Sequence, residues 1–206
     1  MRRFSGFTLI ELMVTLLVLA VLVVIALPSF NASFEKSRLR AAADDLTSLV
    51  STVRMEATKN NRDVTISLLG SSSTWCMGAN QVAQPAVTQP ITFSNTGCAC
   101  DSAPATCAVD GNKRVVDSSQ YRGVTVAAAD IGKQFGIDGQ YGATLSPATT
   151  STTLCTETFN LTSSSGKYKV TLKVSPLGQA QVCIPAGSTF ISGYPSCTTT
   201  TSTACS

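Results

Sequence analysis

Three features of this 206-residue sequence bear directly on chemistry: eight cysteines, no histidine, and one carboxylate inside an apolar run. The absence of histidine excludes Ser-His-Asp and Cys-His catalysis and imidazole metal sites together. No other catalytic set can be assembled, so the sequence reads as a non-enzyme with no cofactor. The cysteines are Cys76, Cys98, Cys100, Cys107, Cys155, Cys183, Cys197 and Cys205, all beyond residue 75. An even number confined to one portion of a chain reads as a disulfide framework in an oxidising compartment. Zinc competes at Cys98-Ala99-Cys100 with Cys107, but this spacing lacks the paired Cys-x2-Cys knuckles of structural zinc sites, so no metal is expected. Eight cysteines allow about a hundred pairings. Cys98 and Cys100 are expected to bond to different partners, and Cys197 with Cys205 to close a small loop.

Other chemistry is sparse. Asp110, Asp130 and Asp138 are oxygen ligands in principle, yet no Asp-x-Asp-x-Asp-Gly calcium loop is present, and they read as solvated turn carboxylates. Gly132 to Gly139 is glycine-rich but lacks the Gly-Lys-Ser/Thr ending of a phosphate loop, so it reads as turns between strands. Asn31-Ala32-Ser33 and Asn160-Leu161-Thr162 fit a glycosylation pattern too common to carry weight. The tail Thr198 to Thr203 reads as a flexible polar end. Charged residues make up 13% of the chain, against about 25% on average. Without Arg2 and Arg3 the balance of 15 basic and 12 acidic side chains becomes 13 against 12, so no overall basic field draws nucleic acid.

The remaining carboxylate is Glu11. Residues 1 to 6 are a short basic leader, and Phe7 to Leu27 is apolar apart from Thr8, Glu11 and Thr15. As a helix this stretch spans about 31 Å, one bilayer core. The basic leader should stay cytoplasmic and send the cysteine-bearing portion outward. A signal peptide fits less well, because the apolar block runs into Pro28-Ser29-Phe30 and a further helical pattern without a small-residue cleavage site. An ordinary single-span anchor leaves Glu11 unexplained. A carboxylate in lipid costs about 2.5 to 3.5 kcal/mol at a helix centre and less near an interface, so a partner is expected. If the chain is cut after Gly6, the α-amino group of Phe7 lies one turn from Glu11, and an identical subunit presents the same amine.

Gly6-Phe7-Thr8-Leu9-Ile10-Glu11-Leu12 resembles the processing site of type IV pilins and pseudopilins. The resemblance implies that a prepilin peptidase cuts after Gly6 and methylates Phe7, and that Glu11 pairs with the Phe7 amine of a neighbour during assembly. It also implies partners: other major and minor pilins, the peptidase, the inner membrane and the pilus assembly platform. The protein would sit in the bacterial inner membrane with a periplasmic C-terminal domain, and later in a filament or at its tip.

The elements that position these residues follow from periodicity. Leu39, Ala42, Leu46, Leu49, Val53 and Ala57 recur three or four apart, with Glu35, Lys36, Arg40, Asp44, Asp45 and Lys59 elsewhere on the turn. One helix is expected over residues 7–59, membrane-spanning over 7–27 and bent near Pro28, which lacks an amide donor. Residues 60–206 are expected to form a disulfide-bonded β-rich domain. Asp63 to Leu69 and Thr74 to Gly78 suggest one hairpin, and Thr158 to Thr162 with Lys167 to Val174 a second. Ile91 to Ser94, Tyr121 to Ala127, Ala129 to Ile137 and Ala180 to Ile184 are further candidate strands. Residues 79–120 read as a disulfide-pinned loop.

The fold class is therefore α+β, a long helix packed on an antiparallel β domain. This order resembles the GspH/FimT/FimU branch of the pilin superfamily, with Phe135-Gly136-Ile137-Asp138-Gly139 and the hairpin into Ser175-Pro176-Leu177-Gly178 as the similar features. The resemblance implies a FimU-like minor pilin that starts assembly or caps the filament tip. Two alternatives are a FimT-like DNA-uptake pilin and a GspH-like type II secretion pseudopilin. FimT-like pilins bind DNA through Gly-Arg-x-Arg, and the matching place is Gly178-Gln179-Ala180-Gln181. Glutamines cannot supply the phosphate contacts of guanidiniums, so DNA is a possible partner but not the favoured one. Lys167, Lys169 and Lys173 add a modest basic stripe on one strand face.

The processing reading makes a direct prediction. Gly6→Val should leave a precursor six residues longer, because a β-branched side chain does not fit a peptidase site shaped for glycine. N-terminal sequencing of the assembled protein should return Phe7 for the parent chain and not for the variant.

Overall fold

The spaced apolar residues fold as one helix, α1 (Leu9–Asn60), in the computed structural model. The structure describes residues 7–82, 97–146, 153–198 and 203–205, and for residues 25–29 the helical backbone alone. All six residues of the expected stripe, Leu39 to Ala57, are buried, joined by Ala43 and Val50. The helix ends at Asn61, whose φ of 49° is left-handed and whose N–H caps the carbonyls of Ala57 and Thr58. Asparagine tolerates that conformation better than most residues.

After α1 come β1 (Val64–Gly70), β2 (Trp75–Gln81), β3 (Ala108–Val109), β4 (Asn112–Lys113), β5 (Val115–Asp117) and β6 (Thr125–Val126). Then follow β7 (Gln134–Ile137), β8 (Thr144–Leu145), β9 (Glu157–Thr162), β10 (Lys169–Val174) and β11 (Ala180–Cys183). One sheet has the order β5-β2-β1-β7-β8, a second β11-β10-β9-β6, and β3 pairs with β4 alone. The strand pairs are antiparallel, with Ser67 opposite Gly78 in the first hairpin and Leu172 opposite Phe159 in the second. The stripe of α1 lies against both larger sheets, and their apolar side chains form one core with it.

Several expectations from periodicity need correction. The alternation in β1 suggested one solvated face, but Val64 to Leu68 are all buried, Thr65 and Ser67 included. The segment bearing Cys98 covers that face, and the Ser67 hydroxyl donates to the Cys98 carbonyl at 3.4 Å. The expected strand at Tyr121 to Ala127 shrinks to Thr125–Val126, and that at Ala129 to Ile137 to Gln134–Ile137. Short 3-10 turns at Ser118–Gln120 and Ala128–Asp130 precede them. Within 79–120, β2 runs on to Gln81 and short strands β3 to β5 follow Cys107. Lys167 lies in the turn of the second hairpin, ahead of β10. Ile91 to Ser94 lies outside the described residues.

Asp130 is not a solvated turn residue. Its Oδ1 lies 2.8 Å from Lys133 Nζ, and Glu157 Oε1 lies 3.0 Å from the same nitrogen. Both carboxylates are almost fully buried, with side-chain exposure of 4% and 3%. Lys133 also donates to the Thr158 carbonyl at 2.8 Å, and Asp130 Oδ2 accepts from the Asn160 backbone at 2.7 Å. Burial alone would lower the Lys133 pKa, but hydrogen bonds to Asp130 and Glu157 outweigh it and raise the value. The cluster joins the loop before β7, in the first sheet, to β9 in the second. Asp110 and Asp138 lie in turns elsewhere, and among the described residues no cluster of ligands suited to a metal forms.

Removing the cation from a buried pair strands its partners at a cost of about 3 to 5 kcal/mol. Lys133→Met should therefore lower the unfolding free energy by about that amount while keeping the volume filled, and chemical denaturation of the oxidised protein will measure it.

Candidate functional site

The helix start is built by local capping. Thr8 is the N-cap and its hydroxyl accepts from the Glu11 N–H at 3.3 Å, while the Leu12 N–H reaches the Thr8 carbonyl. Thr8-Leu9-Ile10-Glu11 therefore has the spacing of a capping box, a signal that sequence reading by apolar length alone passes over. A carboxylate in the first turn also faces the positive end of the helix dipole. Glu11 is exposed, and so are Phe7 and Leu9, each 75% accessible. The large apolar side chains from Leu9 to Val24 keep between 46% and 75% of their surface. Nothing within the described chain covers this cylinder.

That described apolar run is 16 residues, about 24 Å of helix. Among the described residues no helix is long and apolar enough to cross a membrane. The sequence carries the run on through Ile25, Ala26 and Leu27. The helix assignment continues through Pro28, whose side chain lies outside the described set, as does Gly6.

The outer half of α1 is tied to the β-rich remainder of the domain, the head, by polar bonds that the amphipathic pattern left as a solvated face. The Tyr121 hydroxyl donates to Asp45, and the Tyr194 hydroxyl donates to Asp44 at 2.7 Å. Burial first, and the adjacent carboxylate second, push both phenol pKa values well above the usual range. Arg54 Nε donates to the Gly142 carbonyl at 3.0 Å, and Arg114 pairs with Glu56 through both of its carboxylate oxygens. These tethers hold the outer half of α1 in one rotation against the sheets.

The cysteines pair as Cys76–Cys100, Cys98–Cys107, Cys155–Cys205 and Cys183–Cys197. The expected Cys197–Cys205 loop does not form. A parallel bridge between Ile184 and Ser196 sets Cys197 beside Cys183, and another between Thr156 and Ala204 sets Cys205 beside Cys155. The first two disulfides form a separate small cluster with Leu69 and Val115 against it. Both lie flat over Gly78 of β2. A Cβ at that position would come within 2.5 Å of Cys98 Sγ and 2.7 Å of Cys107 Sγ. A glycine inside a strand marks such close approaches.

Comparison with known proteins adds two family matches. Residues 1–27 match the prokaryotic N-terminal methylation motif, and residues 42–178 match the type II transport protein GspH. The chain belongs to the GspH/FimT/FimU family of pilins. No curated protein matches it significantly. Among solved structures, the type IV minor pilin FimU of Pseudomonas aeruginosa is similar at 15% identity, over 72% of this chain and 90% of its own, with a TM-score of 0.43. The GspH match begins at the buried stripe of α1 and ends at Gly178, within the turn between β10 and β11.

In this family member that turn is locked to the helix. Gly178 has φ of +72°, and a Cβ there would sit 2.0 Å from the Gly142 carbonyl oxygen and 2.9 Å from Arg54 Nε. The structure thus brings the Gly136–Gly139 neighbourhood and the Ser175–Gly178 turn together at the C-terminal end of α1. Gln179 and Gln181 follow on the exposed side and line a cleft of about 390 Å³ with Lys173, which pairs with Gln181 across the strands. Thr171, between Lys169 and Lys173 on the same strand, is buried. Lys169 and Lys173 share that face of β10, and Lys167 precedes the strand.

Two expectations follow. In Gly78→Ala the added methyl collides with both sulfurs, so peptide mapping without reduction should show loss or scrambling of Cys98–Cys107, with Cys155–Cys205 intact. Replacing Gln179 and Gln181 by Arg should raise duplex DNA affinity and steepen its decline with salt, since each phosphate contact releases counterions; fluorescence anisotropy over a salt series will read both.

Proposed function

We propose that this pilin is a minor subunit of a type IV pilus, starting assembly or capping the filament tip together with other minor pilins. In this reading the prepilin peptidase removes residues 1–6 and methylates Phe7. The apolar half of α1 holds the chain in the inner membrane, with the head in the periplasm, until the assembly platform transfers it to the filament. The observation that carries the proposal is the bare apolar helix of a family member whose N-terminal residues match the methylation motif. Exposed apolar surface on this scale is unfavourable in water by about 25 cal/mol per Å². It finds cover first in lipid and then against the helices of neighbouring subunits, where close packing replaces lipid contact. The head, closed by four disulfides, is suited to life outside the reducing cytoplasm.

A second reading is a pseudopilin of a type II secretion system, favoured by the description of the matched family as a type II transport protein. The two are separated by location: the minor pilin is recovered in sheared surface filaments, and the pseudopilin is required for export of a secreted enzyme and absent from sheared material.

Glu11 is proposed to pair with the Phe7 amine of a neighbouring subunit. Glu11→Ala removes a charge from the apolar helix and so should insert into the membrane normally. It should nevertheless accumulate there and fall at least about tenfold in the sheared fraction, about 1.4 kcal/mol of lost pairing. Immunoblots of membrane and sheared fractions check the ratio.

A further inference from the structure

The charges of the head are not evenly placed. Leu39 is the first fully buried residue of α1, so the turns just before and after it mark the base of the head, where the helix emerges. At this level α1 carries Lys36, Arg38 and Arg40. Arg38 Nη1 donates to the Arg122 carbonyl at 3.4 Å, which brings the Arg122 loop to the same level. Arg40 Nη2 donates to the Ser192 hydroxyl at 2.8 Å. Lys36 Nζ and Lys167 Nζ sit 4.9 and 5.7 Å from the ring centre of Tyr168. Four cations, Lys36, Arg38, Arg40 and Lys167, therefore gather at the helix exit, with the Arg122 backbone beside them. Glu35, bonded to the Ser165 hydroxyl, lies among them, and Asp44 and Asp45, about one turn farther along α1, keep their charges while accepting from Tyr194 and Tyr121.

We infer that this basal collar is a docking surface for the anionic phospholipid headgroups of the membrane that anchors the chain. The inference rests on the anchored reading above and adds what the head does while it waits there. Its distance is suitable. Glu35 lies eight positions beyond Leu27, the end of the apolar run, a rise of about 12 Å if straight. The headgroup layer takes up about 5 to 8 Å of that. The rest is within the Debye length of about 8 Å at physiological salt, and lysine and arginine side chains reach down from it. Between collar and apolar run the helix exposes Phe30 and Phe34, one turn apart on one face. Aromatic side chains in that position suit the boundary between headgroups and acyl chains. The same tether that presents the head for assembly thus holds its base against an anionic surface, and release of the collar accompanies extraction from the membrane.

The test uses the full chain in lipid nanodiscs, either of phosphatidylcholine alone or with about one third phosphatidylglycerol. Co-elution with the discs establishes insertion, and trypsin cleavage after Arg122 is followed over time, with cleavage after Arg62 at the far end of the head as reference. Anionic discs should slow cleavage at Arg122 at least about threefold and leave Arg62 unchanged. The protection should vanish near 1 M salt, where the Debye length is about 3 Å. It should also vanish in Lys36→Gln with Lys167→Gln, which keeps the Arg38 and Arg40 tethers, and persist in Lys59→Gln with Lys113→Gln. Insertion with equal cleavage in both discs overturns the inference and leaves the anchored reading standing. Failure to insert overturns both. Protection at Arg122 by short duplex DNA in neutral discs, without protection by anionic lipid, makes the collar a nucleic-acid surface and overturns the lipid assignment.

Discussion

Burial of one stripe of α1 against two sheets is the constraint on which the rest of the structure depends. The helix serves two surroundings at once. From Leu39 to Ala57 its apolar side chains close a core with both sheets, and from Leu9 to Val24 the same helix stays bare. Each fully buried leucine or valine stabilises the head by about 1.5 to 3 kcal/mol, so the outer half cannot leave the sheets without unfolding the domain. The inner half continues from it as helix that nothing in the described chain covers.

Few charges are available, and the fold uses several of them for joints. Tyr121 and Tyr194 grip adjacent carboxylates of α1, Arg54 caps the contact between Gly142 and the Ser175–Gly178 turn, and Lys133 joins the two sheets through Asp130 and Glu157. Among the described residues no buried side-chain polar atom lacks a partner. The cations left at the base of the head gather where α1 emerges, giving the domain a polarity that its near-neutral total conceals.

The disulfides complete what a modest core leaves loose. Bridges across 9, 14, 24 and 50 residues fasten the two segments with least regular structure. On the chain-entropy account the longest loop constrains the unfolded chain by about 4 kcal/mol and the shortest by about 2.5. Their positions matter as much as their number. Two of them lie over Gly78 and shield the polar face of β1, which is how Thr65 and Ser67 come to be buried in a strand whose pattern suggests solvent.

The sequence by itself determined what depends on neighbours along the chain. The basic leader and the motif from Gly6 to Leu12 are contiguous strings of residues, and the stripe of α1 and the two main hairpins arise from spacing of three, four or two, so local patterning was enough to read them. The family and the α+β class followed. What only the tertiary structure decided depends on residues far apart in sequence. The pairing of Cys183 with Cys197 and of Cys155 with Cys205 is set by two parallel bridges between distant segments, and no spacing announces these. Asp130 looked like a turn carboxylate because Asn160, whose backbone donates to it, is 30 positions away, and its burial follows from two sheets meeting there. The need for glycine at position 78 comes from two disulfides packed against β2, which no local pattern announces. The basal collar draws one lysine from a separate loop to a level fixed by where α1 first becomes buried. Long-range contacts of this kind follow from how the elements pack, and packing is the property that local patterning leaves open.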